Sequence, residues 1–176
     1  MEVAEIEWKG INWKAAYGEH SVKDLLTILK GYGPMEILAF EKPGHFRGQL
    51  SLRLAPDGTK EITVYHLEVL GARRRGKGRK ALQCLKQIFR GEVYVEDPGG
   101  IIRVTNADSA SLPFWIKMYQ EGIIDALESE HCHLRPHMTP EEVEEVARPF
   151  LDDHEDADGP STDPERYEGK RKGQNA

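Results

Sequence analysis

Val3 to Trp8 sets apolar against acidic residues with a period of two, the pattern of a half-buried strand. A helix follows. Val22, Leu25, Leu26, Ile28 and Leu29 recur on one face, Ser21 and Asp24 make a capping box with Asp in place of Glu, and Gly31 ends the run. The period of two returns over Met35 to Glu41, Phe46 to Leu54 and Glu61 to Leu70. Turn formers in Lys42-Pro43-Gly44 and Ala55-Pro56-Asp57-Gly58 join these segments, which predicts an antiparallel meander. After Gly76, the residues Ala81, Leu82, Leu85, Ile88 and Phe89 are spaced as a helix stopped by Gly91. Glu92 to Glu96 reads as a strand, so Glu61 to Glu96 predicts a βαβ crossover with two parallel strands.

Asp97-Pro98-Gly99-Gly100 forces a turn, and Ile101 to Val104 extends a strand beyond it. A helix capped by Ser109 or Ser111 then runs through Pro113, Phe114, Trp115, Ile116, Met118 and Tyr119 to Gly122. Ile123 to Leu127 predicts a last strand. Thr139-Pro140-Glu141-Glu142 opens a final helix with Val143, Val146, Ala147 and Phe150 on one side. From Leu151 onward almost nothing is apolar, so a disordered tail is expected. The fold class is α/β (α+β), with a mixed-sheet domain over 1–130, a helical extension over 131–150 and the tail over 151–176.

The chain has 176 residues, 39% hydrophobic and 31% charged, a length and balance that fit one domain with its own core. No apolar run approaches the roughly 18 residues of a membrane helix. The first residues lack the pattern of a secretory leader, and two distant cysteines make no disulfide framework, so a cytoplasmic protein is expected. The net charge of −6 hides an asymmetry. Arg73, Arg74, Arg75, Lys77, Arg79, Lys80, Lys86 and Arg90 form a stretch without an acid, whereas acids gather toward the C-terminus.

That basic stretch begins where a strand ends and a helix starts. Glycines there let the backbone aim several N–H groups at one locus, and the helix N-terminus adds free donors and partial positive charge, which suits a pyrophosphate. The structural alternative is a basic loop that merely leads into a helix. Neither the P-loop spacing nor Gly-x-Gly-x-x-Gly is present. What the sequence has is Arg73-x-x-Gly76-x-Gly78.

This motif resembles the acetyl-coenzyme A loop of the GNAT superfamily of N-acetyltransferases. The resemblance spans Met35 to Leu127 and includes the meander, the loop and helix, the following strand and Asn106. It implies a GNAT-like mixed sheet, splayed and flanked by helices, with acetyl-coenzyme A as cofactor. By resemblance, Leu70, Arg73, Arg74, Arg75, Gly76, Lys77, Gly78, Arg79 and Asn106 bind that cofactor. There are departures: Val69 to Arg73 is about one residue shorter than the usual strand-to-loop connection, and the sequence after Leu127 lacks a clean final strand. Asp97 to Thr105 adds a Gly-rich segment before Asn106, and the family's Tyr before the helix-ending Gly is Met118 here, with Tyr119 one place later.

Direct acetyl transfer to an amine needs a base for the ammonium proton and an acid for the departing thiolate. Glu68 and His66 share one strand face by the period of two and are the base candidates, with Tyr65 on the other face. Tyr119 is the acid candidate, and amides between Leu67 and Leu70 are placed to polarise the thioester carbonyl. His131, Cys132, His133 and His137 are metal-ligand types, but alternate positions on an extended segment point to opposite faces, and no metal is expected. The acceptor is open between a small amine, a protein amine and an aminated DNA base. A second reading is an inactive GNAT-fold module that binds nucleic acid or a protein through its basic face. No membrane partner is expected, and the protein is a monomer or homodimer.

Overall fold

Lys9 and Gly10 have φ of 51° and 78°, the pair of left-handed residues that closes a two-residue hairpin with the twist of its strands. They turn β1 (Glu5–Trp8) back onto β2 (Ile11–Ala15), a strand the sequence reading missed. The structure, a computed structural model, describes residues 4–54, 56, 60–71, 76–89, 101–105 and 107–151. Helix α1 (Val22–Leu29) starts as expected: Ser21 Oγ accepts from Asp24 N–H and the Asp24 carboxylate accepts from Ser21 N–H, each at 3.1 Å. The bond from the Ser21 amide holds the Asp24 carboxyl below its ordinary value.

The predicted meander forms from β3 (Leu38–Lys42), β4 (Phe46–Leu54) and β5 (Lys60–Val69), all antiparallel. Then come α2 (Lys77–Ile88), β6 (Ile101–Thr105), α3 (Leu112–Gln120), β7 (Ala126–Glu128), β8 (His133–Leu134) and α4 (Pro140–Leu151). The eight strands lie in one mixed sheet in sequence order; β5, β6 and β7 run parallel and β8 returns antiparallel to β7.

The crossover therefore lands elsewhere than expected. The parallel partner of β5 is Ile101–Thr105, and the predicted strand Glu92 to Glu96 lies outside the described residues, as does the segment after Leu151. With β6 ending at Thr105, a strand leads straight to position 106. The last predicted strand shortens to β7 and is followed by β8, which carries the sheet past residue 130. Ser111 stands at the N-cap of α3 without capping it: its Oγ donates to Asp108 O at 3.1 Å.

One sheet face is the core. Ile11, Trp13, Phe40, Phe46 and Leu67 are buried on it with Leu25 and Leu29 of α1 and Leu82 and Leu85 of α2. Trp13 meets Phe89 edge-on at 5.6 Å. On the other face of β1 to β5 the residues Lys14, Ala39, Glu41, Arg47, Gln49 and Glu68 are exposed or half-buried, the two-sided character an antiparallel sheet permits. α3 packs on β7, and α4 on α3 and β8. No helix of the described residues is long and apolar enough to cross a membrane.

Candidate functional site

β5 and β6 pair only from Glu61↔Ile101 to Val64↔Val104. Beyond Val64 the β5 strand continues to Val69 with β4 as its one partner among the described residues, so between β5 and β6 these residues leave an opening. A register shift marks the opening. Gln49 faces His66 while Leu50 faces Val64, which leaves Tyr65 as the extra residue of a bulge. The bulge suspends the alternation: Val64 and Leu67 are both buried, and Tyr65 and His66 between them are both half-buried. Tyr65 therefore does not lie opposite His66 as the period of two predicts, and its hydroxyl is 2.9 Å from Ser51 Oγ.

The opening holds a groove of about 70 Å³, lined by β5 from Val64 to Leu67, by Val104 and Thr105 of β6, and by Ala107, Asp108, Ser111 and Trp115. Thr105 Oγ1 is buried with no partner among the described residues, an unspent polar atom beside this groove. Leu70 N–H donates to His45 O at 2.9 Å, which removes it from the set of free amides. Antiparallel alternation then turns the Glu68 and His66 amides toward β4 and the Leu67 and Val69 amides toward the gap.

The loop after β5 is drawn tight. Lys77 Nζ donates to Leu70 O at 3.0 Å, and a Cβ on Gly71, whose φ is +82°, would stand 2.9 Å from that ammonium. Gly76, at φ +65°, is the N-cap of α2, with no side-chain cap, and Gly78 is buried in the first turn. The α2 terminus thus has amides without an intrahelical partner and no acidic side chain in its first turn. Arg79 Nη2 donates to Glu121 Oε2 at 2.8 Å, tying this turn to the end of α3. Arg73, Arg74, Arg75 and Asn106, also expected at this site, lie outside the described residues.

Of the acid-base candidates, His66 lines the groove and Glu68 follows it on the same strand. Glu68 Oε2 accepts from Arg47 Nε at 2.8 Å, and this bond raises the Arg47 pKa above its already high ordinary value. Tyr119 is not brought to them. Its hydroxyl donates to Arg135 O and accepts from Met138 N–H at 3.2 Å, which fastens α3 to the segment after β8. Met118, which stands where the resemblance expects a Tyr, is buried at 1% exposure. No sequence signal separates a Tyr bound in this way from a free one.

Among the described residues, no three His, Cys, Asp or Glu side chains gather as a metal site. Cys132 is buried, which pushes its thiol pKa up, and its N–H donates to Ser129 Oγ in a tight turn. Comparison of the chain with protein-family models, curated proteins and solved structures finds no match.

Proposed function

We propose that the chain is an N-acetyltransferase that moves an acetyl group from acetyl-coenzyme A to a primary amine by direct attack in a ternary complex. The observation that carries this reading is the gap between β5 and β6: two parallel strands part after Val64, and a groove fills the space. The residues present fit the cofactor. Gly76 in the left-handed conformation, the first-turn amides of α2 and the Lys77 ammonium would hold a pyrophosphate, while the groove would receive the extended thioester arm. When bound, the cofactor supplies an activated acyl thioester.

The chain supplies the rest. Amides of Leu67 and Val69, turned to the gap, donate to developing negative charge on the carbonyl oxygen. His66 or Glu68 accepts the ammonium proton, so that a neutral amine attacks. Glu68 is held in place for that by Arg47. The bound Tyr119 and the buried Met118 take the family's usual acid out of the reaction, so the thiolate released when the C–S bond breaks would take its proton from solvent, and these same two observations favour the second reading, an inactive module with the same fold.

The two readings separate in one experiment. Acetyl-coenzyme A raises the melting temperature in both if the loop holds it, by about 2.7 kcal/mol of stabilisation at one hundred times its Kd. Thiol release with a panel of primary amines then occurs only in the enzyme. No thermal shift at millimolar cofactor removes the acetyltransferase proposal.

A further inference from the structure

On the open face of the sheet is a shallow depression of about 400 Å³. Glu5, Lys14, Ala39, Glu41, Arg47 and Gln49 line it, and His66 lines both it and the groove. Ala39 makes the hollow, since its small side chain stands between Lys14 and Gln49, its partners on β2 and β4. From these features we infer that the depression is the acceptor subsite, and that it takes a free aliphatic polyamine. This rests on the acetyltransferase reading.

Three physical points lead there. The volume lies within the roughly 300–1,000 Å³ of small-molecule sites, and one wall of the hollow is the residue nearest the proposed chemistry. The charges are arranged for a cation. Lys14 faces Glu5 in the register, and Arg47 stands between Glu41 in the hollow and Glu68 beside it and is bonded to Glu68, so three carboxylates meet two cations and Glu41 is the one whose facing cation is bonded elsewhere. A phosphate-bearing acceptor meets net repulsion on this face, and an ammonium meets attraction.

The spacing selects within the amines. Glu41 is two strands and two residues from His66, a Cα separation of about 12 Å at ~4.8 Å per strand and ~3.4 Å per residue. An amine reacting beside His66 therefore reaches Glu41 with a second ammonium only if the chain between them is long. An extended triamine of the spermidine type has that length, and a simple alkylamine has no second charge.

Thiol release from acetyl-coenzyme A with spermidine, butylamine, a lysine peptide and a single-stranded oligonucleotide tests the inference. Expected is a kcat/KM for spermidine at least about tenfold above each of the others, consistent with a charge-assisted contact. Glu41→Gln raises the KM for spermidine about fivefold, and Lys14→Gln lowers it, opposite shifts that a folding defect would not produce. Equal or better use of butylamine, the peptide or the oligonucleotide overturns the inference, as does an unchanged KM in Glu41→Gln. An intact thermal shift with cofactor alongside either result leaves the transferase fold reading standing; loss of that shift in the wild-type protein brings down both.

Discussion

Gly76 carries the most weight per atom. At φ +65° any other residue is strained by about 1–2 kcal/mol, and a carboxylate there also meets the phosphate locus. Gly76→Asp is expected to lower the melting temperature by a few degrees and to abolish the shift caused by acetyl-coenzyme A, measured by calorimetry with and without cofactor. An undiminished shift would place the cofactor elsewhere. Glu68→Gln breaks an exposed ion pair and so changes stability by less than about 1 kcal/mol, yet it should cut turnover about a hundredfold if Glu68 is the base. A wild-type rate would assign the proton to His66. Tyr119→Phe has the reverse signature. It loses two backbone contacts, at about 1–3 kcal/mol of stability, and leaves kcat within a factor of two; a large fall in kcat would restore Tyr119 to the chemistry.

At the level of elements, β4 and β5 show what a sequence pattern can and cannot say. Alternation and Pro-Gly turns were enough to read the meander, because those features act between neighbours in sequence. Gly76 and Gly78 were readable for the same reason. The bulge at Tyr65 was not, since no residue type marks it and it arises from pairing with β4. Nor was the choice of β6. Both Glu92 to Glu96 and Ile101 to Thr105 are β-rich, and it takes the register to show that Ile101 to Val104 pair with β5. β2 was missed because a two-residue turn of Lys9 and Gly10 lacks the usual Asn-Gly. The close approach of β4 and β5 shows at Gly48, where a Cβ would stand 2.1 Å from His66 O. Gly48→Ala should therefore cost about 3 kcal/mol or more, read as a lower urea midpoint, since backbone must move to admit the methyl. A midpoint within error of wild type would contradict that geometry.

For the whole molecule, the notable property is that spatial order follows chain order from β1 to β8. The mixed eight-stranded sheet with four helices among the described residues agrees with the α+β class read from the sequence, while its opening could be expected only from the resemblance. Short hairpins join β1 to β2 and β3 through β5, with α1 between β2 and β3, but each parallel step beyond β5 waits on a helical excursion. Loop-closure entropy favours the hairpins first. In pulse-labelled hydrogen exchange during refolding, amides of β3 to β5 should gain protection before those of β6 and β7; simultaneous protection would mean that the two halves form together. The line along which β5 and β6 part is then also the joint between an early-assembling half and a late one, so ligands that bridge it should slow its reopening and lengthen the lifetime of the native state.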